Sequence, residues 1–279
     1  DPLADPRYGP GGDEGDSRFL EIWNLVFNQY EQRKDGTLTP LAKPGIDTGM
    51  GLERTAAVVQ GVRSVYDTDL YAPIFERAHE ISGAKRGSSD ETDRALYIIA
   101  DHVRSIAFLI ADGVRPGNQR REYVLRRIIR RTTLQAYSRL GIKPEPLAEL
   151  VEVVVDHMGD HYEELERARE DIRRIVTAEA ERFVEIYDSG MRLLKKEIAE
   201  IGGGEMPPTL GGAPIIPNFS SLPELPGEVA FTLHDTYGFP VEVTKEVLRE
   251  HGMKLDEVAF ERAMTGQRER AREAMQGYD

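Results

Sequence analysis

Residues 46–60, which read IDTGMGLERTAAVVQ, decide the fold of the N-terminal part of the chain. Glycines at positions 45, 49 and 51 allow the backbone to approach a ligand closely, and residues 55–60 predict a short Ala/Val-rich helix. The first amides of such a helix are free donors at the positive end of its dipole, which suits a phosphate group. Arg54 lies in the first turn, where it can reach a polyphosphate or stack on a purine. A simple tight connection between a strand and a helix would show the same glycines.

Upstream of this segment the pattern predicts an antiparallel hairpin. Residues 19–30, FLEIWNLVFNQY, are rich in aromatic and branched side chains and predict a long strand. The dipeptide at 35–36, Asp-Gly, predicts the turn, and residues 37–41 predict a returning strand that Pro40 shortens. Glu21 and Asn24 are polar residues within the apolar strand. They either edge a half-solvated sheet or face a ligand.

Arginine is concentrated between residues 104 and 131. This window contains eight arginines and two acidic residues, whereas the whole chain has a formal net charge of −13. Guanidinium groups match phosphate geometry and supply salt-sensitive affinity for nucleic acids. Helical spacing predicts a cationic ridge and an apolar stripe on the same helix, formed respectively by Arg127, Arg130 and Arg131 and by Val124, Leu125, Ile128 and Ile129. A solvated basic face balanced by acidic neighbours is the alternative.

Two amides, Asn118 and Gln119, lie in a predicted turn just before this basic helix. Amide side chains can read the edge of a base, whereas arginines on phosphates only position a nucleic acid. The turn is therefore a candidate for sequence-specific contacts.

Composition limits the possible functions. With 279 residues, 40% of them hydrophobic, the chain can bury a large core and is expected to form one or two domains. Its net negative charge argues against nonspecific binding to nucleic acids or membranes. Such a partner would have to bind to a local basic patch. The absence of cysteine excludes disulfides and thiolate metal sites. We expect no membrane segment and a cytoplasmic location, and we interpret the Gly- and Asp-rich start, residues 9–16, as part of an internal fragment.

The rest of the chain has helical periodicity, and the fold class that we predict is α+β, predominantly α-helical, with a small antiparallel sheet followed by a helical domain. A break or a kink is expected at Ser189-Gly190 within the long charged helix. The predicted helices span 70–81, 96–110, 122–140, 147–158, 163–201, 228–234, 241–250 and 255–275, with a Pro/Gly-rich connector over 202–227.

Three histidines are candidate functional groups. His157 and His161 are four residues apart on one predicted helix, which is a metal-like spacing, but a solvated face is the alternative because no cysteine converges on them. His102 is interpreted as a core histidine or a packing partner of the basic helix rather than as a catalyst.

The sequence GMGLER at 49–54 resembles motif 3 of the class II aminoacyl-tRNA synthetases. IDT at 46–48 and EIWN at 21–24 are similar to the version of this motif in the alanyl-tRNA synthetase family of bacterial type. The resemblance continues, in the family's order, through IADHVRS at 99–105, the basic stretch at 123–131 and HDTYGFP at 234–240.

The resemblance implies a domain organisation and an activity. Residues 1–62 would be the C-terminal part of a class II catalytic domain, with motif 3 but without motifs 1 and 2. Residues 63–279 would be a helical domain that recognises the tRNA acceptor stem. The implied reaction is ATP-dependent activation of alanine and its transfer to alanine tRNA. Because the N-terminal catalytic segment is missing, we expect the 279-residue chain alone to be inactive.

The resemblance also assigns roles to residues of the small sheet. Arg54, with Gly51 and Glu21, would bind ATP, and Arg54 and Glu21 would be the catalytic residues. Glu21 is also a possible Mg²⁺ ligand, and no zinc is expected in this part of the protein. Asp47 would bind the α-amino group of alanine, with Asn24 and Gly49 lining the same pocket. A carboxylate facing an ammonium group is a charge-assisted pair, so this role is chemically reasonable.

For the tRNA, the resemblance implies that Asn118 and Asp235 read the third base pair of the acceptor stem, a G·U wobble pair. Without the resemblance, Asp235 would be interpreted as a helix stop or turn cap. Basic residues of the same region would bind the acceptor stem, namely Arg120, Arg121, Arg127, Arg130 and Arg131. The competing hypothesis is a non-enzymatic helical RNA-binding or protein-adaptor module that uses only the basic face. Such a module has no need of Asp47 and Arg54.

Overall fold

A computed structural model describes residues 20–201, 209–210, 213–214, 222–237 and 239–276. Its helices and strands confirm the predicted α+β, mostly helical class. In chain order they are β1 (Trp23–Gln32), β2 (Leu38–Met50), α1 (Leu52–Gln60), α2 (Ala72–Ser82), α3 (Asp90–Ala111), α4 (Arg120–Leu134), α5 (Pro144–Met158), α6 (Glu163–Arg167), α7 (Arg169–Ile201), β3 (Thr209–Leu210), β4 (Ala213–Pro214), β5 (Glu224–Leu225), α8 (Gly227–Asp235), α9 (Val241–Glu250), β6 (Lys254–Leu255) and α10 (Glu257–Gln276).

The predicted hairpin is present, but its second strand is much longer than expected. β1 and β2 pair antiparallel around the Asp35-Gly36 turn, where Gly36 has a φ of +85°. The prediction that Pro40 shortens the returning strand to residues 37–41 is wrong, because β2 continues to Met50. A two-stranded sheet leaves one edge of each strand unpaired, so a proline there interrupts few ladder bonds.

The three glycines of the opening segment do not all lie in the connection between strand and helix. Gly45 and Gly49 lie inside β2, opposite Asn28 and Asn24. The turn into α1 is made by Gly51 alone, as the residue preceding the first helical residue.

Apolar side chains are exposed on both faces of the β1–β2 sheet. Phe27, which is 63% exposed, and Val26, which is 49% exposed, point to opposite faces. Folded proteins rarely leave large apolar side chains uncovered on both sides of a sheet. The sheet therefore has the surface of an element that packs against further polypeptide on both sides.

Two hydrophobic cores divide the helical part, and α7 contributes to both. The first core contains side chains from α2 to α6 and from the N-terminal half of α7, including Ile172 and Ala180. The second contains Leu194 and Ile198 from the C-terminal half of α7, together with side chains of β5, α8, α9, β6 and α10. One helix thus connects the two cores without an intervening loop.

The predicted break at Ser189-Gly190 is wrong, because α7 runs through both positions for 33 residues. Gly190 is instead required for close packing. A β-carbon at this position would overlap with Cδ2 of Phe239, whose ring is fully buried in the second core. The interruption of the predicted 163–201 helix occurs earlier, at Ala168, between α6 and α7.

Other boundaries also differ. The predicted helix over 122–140 is α4 followed by one wider π-helical turn, Gln135–Arg139. Most of the predicted connector, at 202–208, 211–212 and 215–221, and the loop at 9–16 lie outside the described residues. Within the connector, β3 pairs with β4, and β5 pairs in parallel with β6. Among the described helices, none has the length and apolar character needed to cross a membrane. The division into domains at residue 62 stays a prediction.

Candidate functional site

The β1–β2–α1 unit brings together four of the residues singled out in the sequence. Asn24 lies opposite Gly49 in the strand register, and Asp47 lies opposite Val26. Because directly opposed residues share a face, the Asn24 and Asp47 side chains are diagonal neighbours on one side of the sheet. The amide Nδ2 of Asn24 also donates to Oε1 of Glu21, at 3.3 Å.

Arg54 reaches back from α1 to the start of β1. Its Nη1 donates to the main-chain oxygen of Glu21, at 2.8 Å. The amide of Gly51 donates to the main-chain oxygen of Ile22, at 3.0 Å, and so fixes the turn against the same strand. No side chain caps the start of α1, so its first amides have no partner within the helix. The arrangement places a guanidinium and free amides beside the Asn24 and Asp47 face.

A partly buried ion pair links α1 to α3. Glu53 Oε1 lies 2.6 Å from Nη2 of Arg104 on α3. The Arg104 guanidinium also stacks over the ring of Tyr71, 5.1 Å from its centroid, and burial raises the pKa of that tyrosine despite the nearby arginine. Glu53 therefore attaches the helix to the helical body, whereas the adjacent Arg54 faces the small sheet.

The described residues leave this group of side chains open to solvent. Asp47 and Arg54 are both exposed, so they line an open face rather than a closed pocket. A cleft of about 530 Å³ is found elsewhere, between α3 and the end of α4, and is lined in part by Tyr97, Asp101 and Arg131. A small pocket for an amino acid would need further walls in addition to the Asn24 and Asp47 face.

The groups around Gly51 and Glu21 suit ATP and a Mg²⁺ ion that accompanies it. Arg54 and the amides after Gly51 are suitable for a polyphosphate. In the part of the chain that the structure describes, no three or more metal-ligating side chains converge. Mg²⁺ commonly takes one or two carboxylates together with phosphate oxygens, so Glu21 fits an ion that arrives with the nucleotide.

The arginines of the basic window fall into two structural groups. Four of them bind acidic side chains: Arg104 binds Glu53, Arg115 binds Asp171, and Arg126 and Arg130 both bind Glu179. Within the described residues, the other four form no ion pair, and all four are exposed, namely Arg120, Arg121, Arg127 and Arg131. Arg130 thus differs from its predicted partners on the ridge, because its Nε donates to the buried Glu179 and its guanidinium lies over Phe183.

The exposed stripe of α4 also contains apolar side chains. Val124, a predicted member of the buried stripe, is 49% exposed, and Tyr123 is 50% exposed. Leu125 and Ile129 are fully buried, as predicted. Tyr123 and Val124 therefore lie in the sequence between Arg120 and the later arginines of the exposed face, so one aromatic and one aliphatic side chain are exposed among the cationic groups.

Asn118 lies in a bend that precedes α4, and its side chain is held from within the protein. Arg126 donates from Nη1 to Oδ1 of Asn118. An amide oxygen has two lone pairs, so one acceptor position and both Nδ2 hydrogens stay available for another partner. Two residues later, Arg120 adopts a φ of +48°, a left-handed conformation that is uncommon for a residue with a side chain.

Asp235 is the last residue of α8, in agreement with its predicted place at a helix end. Its exposed side chain accepts a hydrogen bond from Nε2 of Gln267 on α10, at 2.8 Å through Oδ1. Asn118 precedes a helix of the first hydrophobic core, and Asp235 belongs to a helix of the second. Helix α7 runs without interruption from the first core to the second.

His102 packs against α4, as one of its two sequence interpretations proposes. Its Nδ1 lies 3.2 Å from Oγ1 of Thr132, whose hydroxyl donates to the main-chain oxygen of Ile128. The imidazole is therefore the donor in this contact. Burial lowers the pKa of His102, Arg131 acts in the same direction, and Asp101 opposes them.

The predicted arrangement of His157 and His161 on one helix is wrong. α5 ends at Met158, and His161 follows in the turn before α6. Both side chains are exposed. The spacing of four residues therefore does not place the two imidazoles on one helical face.

Sequence reasoning missed three residues near Asn118 and Asp235. Arg126 contacts Asn118, Glu179 lies against Arg126, and Gln267 contacts Asp235. Glu179 could have been noticed, because it is an acid at an apolar position of α7, four residues after Ile175 and four before Phe183. Nothing in the local pattern around Gln267 indicates that it contacts Asp235, which is 32 residues away.

Comparisons with known proteins identify the family of the chain. The family model for tRNA synthetases class II (A) matches residues 7–279. The chain belongs to this family. It is 63% identical to an alanine–tRNA ligase of Rubrobacter xylanophilus over 279 residues, which is 100% of this chain and 30% of the relative. It is 47% identical to an alanine–tRNA ligase of Methylococcus capsulatus over 268 residues, 95% of this chain and 28% of the relative.

A third alanine–tRNA ligase, from Hydrogenovibrio crunogenus, is 44% identical over 97% of this chain and 29% of its own length. The chain therefore spans less than a third of the length of these curated relatives. As a class II synthetase segment, it includes the residues 49–54 that resemble motif 3, and they form the end of β2 and the start of α1.

Proposed function

We propose that the protein containing this segment ligates alanine to its tRNA in an ATP-dependent reaction, and that the segment supplies motif 3 and the recognition of the acceptor stem. The observation that carries this proposal is the joining of Glu21, Asn24, Asp47 and Arg54 on the β1–β2–α1 unit. A module that only binds RNA or protein has no use for a carboxylate, an amide and a guanidinium presented together beside free helix amides.

In this proposal the residues of the small sheet bind and orient the substrates. Asp47 faces the ammonium group of alanine, with Asn24 and Gly49 beside it, and Arg54, Gly51 and Glu21 receive the nucleotide. ATP supplies the activated α-phosphate, which the alanine carboxylate attacks with loss of pyrophosphate. Orientation and charge stabilisation account for most of the rate in such transfers, so no nucleophilic side chain is needed. We keep the cytoplasmic location as a prediction.

The exposed sheet supports the idea that a further catalytic segment completes the site. Both faces of β1 and β2 carry exposed apolar side chains, and Asp47 lies on an open surface. We therefore expect the 279-residue chain alone to show no alanine-dependent exchange of pyrophosphate into ATP. Turnover by this chain would contradict that expectation, whereas exchange by the longer protein tests the proposed activity itself.

For the tRNA, we propose that Asn118 and Asp235 read the third base pair and that exposed arginines of α4 bind phosphates. The shallow minor groove of an RNA helix presents the guanine amino group, for which a carboxylate is a suitable acceptor. The test is titration of acceptor-stem minihelices with G·U or G·C at the third pair. Asn118→Ala and Asp235→Ala should reduce the preference for G·U more than the overall affinity. A basic adaptor module would bind both minihelices equally and would be the better description if the unmodified chain does so.

A further inference from the structure

Glu179 is an acidic residue in the buried stripe of α7. Its side chain is 4% exposed, and it lies against two arginines of α4. Arg130 Nε donates to Oε1 at 2.7 Å, and Arg126 Nε lies 3.3 Å from the same oxygen without meeting hydrogen-bond geometry. A buried carboxylate is costly unless it is paired, so the two guanidinium groups make this position tolerable.

One of these arginines continues to the turn that carries Asn118. The Nη1 group of Arg126 donates to Asn118 Oδ1, and its Nη2 donates to the main-chain oxygen of Pro116, at 3.3 Å. A guanidinium is a rigid plane, so a carboxylate near Nε constrains the directions of both terminal nitrogens. The contact series Glu179, Arg126, Asn118 therefore runs from the buried side of α7 to an exposed amide.

The orientation of this amide matters for reading a base pair. Rotation of an amide side chain by half a turn exchanges its acceptor and its donors, and the edge of a base distinguishes the two. With Arg126 held against Oδ1, the turned orientation would bring Nδ2 against a guanidinium, where two donors face each other. The bond to Arg126 therefore selects one of the two orientations.

We infer that Glu179 is a positioning residue for tRNA specificity, which acts by holding Arg126 so that Arg126 fixes the amide of Asn118. This inference rests on the proposed role of Asn118 in reading the third base pair. Glu179 itself touches no RNA and acts through the turn. Arg130 completes the pairing of the buried carboxylate, and so belongs to the same unit rather than to the exposed phosphate-binding face.

The test is Glu179→Gln in the longer protein that carries this segment, with kcat and KM measured for tRNAs with G·U and G·C at the third pair. We expect the ratio of kcat/KM values to fall by about tenfold, the order expected when one oriented hydrogen bond to a base is removed. Glu181→Gln is the matched control, because Glu181 is exposed on the same helix and should leave the ratio unchanged.

A second variant covers the case in which Glu179→Gln does not fold. Arg126→Lys leaves the Glu179 pair with Arg130 intact and keeps the positive charge, but a lysine cannot contact the carboxylate and the amide at once. We expect a reduced G·U preference with an unchanged dependence of tRNA affinity on salt. A merely structural role would instead lower the melting temperature and both kcat/KM values together.

The variants at Asn118 separate this inference from the proposed function. In the Asn118→Ala background, Glu179→Gln should cause no additional decrease of the ratio, since the two residues act in series. If Asn118→Ala removes the preference and folded variants at Glu179 and Arg126 keep it, the positioning role is wrong and the proposed function stands. If Asn118→Ala itself keeps the preference, the proposed role of Asn118 is wrong, and so is the inference that rests on it.

Discussion

Gln267 on α10 donates its side-chain amide to Asp235 at the end of α8, with 2.8 Å between Nε2 and Oδ1. The two residues are 32 positions apart, and packing of α8 against α10 brings them together. A carboxylate that accepts a hydrogen bond from a neighbouring side chain is restricted in its rotation about the side-chain bonds. Asp235 is thus held by a neighbour, as Asn118 is held by Arg126.

Replacing Gln267 by methionine should weaken the selection of G·U without unfolding the protein. The variant keeps the length of the side chain and removes the donor, and an exposed hydrogen bond of this kind contributes only about 0.5–1.5 kcal/mol to stability. We expect a reduction of the G·U preference of roughly twofold to tenfold in minihelix titrations, which corresponds to a hydrogen bond of this strength. Glu269→Gln on the same helix is the control, and an equal reduction in that variant would exclude a specific contact with Asp235.

The two groups of arginines on α4 should differ in their salt dependence. Arg127→Ala removes an exposed charge with no ion pair in the described residues, and should weaken binding of both G·U and G·C minihelices. For each arginine that no longer neutralises a phosphate, the slope of log K against log salt should decrease by about 1. Titrations over a range of KCl concentrations measure this slope. An unchanged slope for Arg127→Ala would show that this residue does not bind a phosphate.

Gly190→Ala should destabilise the second hydrophobic core. The added β-carbon would overlap with Phe239 Cδ2, so the buried ring has to move. Overpacking of this kind costs about 1–3 kcal/mol, in contrast to the usual gain from replacing a helical glycine by alanine. Urea unfolding measures the effect, with Ser189→Ala as the neighbouring control. A variant more stable than the unmodified chain would contradict the close packing of Gly190 and Phe239.

Stability should depend on pH through His102. Burial lowers the pKa of His102 in the folded protein, with Arg131 acting in the same direction and Asp101 in the opposite one. The unfolded chain then binds a proton more readily than the folded protein below the ordinary value of about 6.5. The resulting stability is present above that value and is lost as the pH falls through the folded pKa.

The control for this pH effect is the variant His102→Gln. Its side chain does not titrate, but its amide can still donate a hydrogen bond to Thr132. The free energy of unfolding of the unmodified chain should decrease more than that of the variant when the pH is lowered from about 7.5 to about 5.5, one unit on either side of the ordinary histidine value. Equal decreases would assign the acid sensitivity to other groups.

Much of the helical architecture is predictable, because apolar residues at helical spacing in a long segment identify both the helix and its buried face. α9 has the predicted bounds, and the composition of the Asp35-Gly36 turn is enough to identify it. The length of β2 is not predictable from its own residues. That strand exists through its backbone pairing with β1, and a side-chain pattern interrupted by Pro40 and two glycines does not show this pairing.

The candidate site also has features that the sequence predicts and features that it does not. The resemblance at residues 49–54 and 234–240 indicates which residues matter, and the strand register then shows that Asn24 and Asp47 share a face. The local sequence does not predict that Arg130 is paired while Arg127 is exposed. The partner of Arg130 is Glu179, which is 49 residues away. The predicted break at Gly190 is wrong for a related reason, since a local breaker rule does not include the ring of Phe239.

Because α7 is continuous, the number of residues between the two cores determines their relative rotation and distance along the helix. Ala180 belongs to the first core and Leu194 to the second, and an unbroken stretch of the same helix separates them. Each residue added to or removed from this interval would rotate one core against the other by about 100° and shift it by about 1.5 Å. Length variation among homologous proteins should therefore be rare in this interval, and where it occurs it should come in steps of about three or four residues, which nearly restore the helical phase.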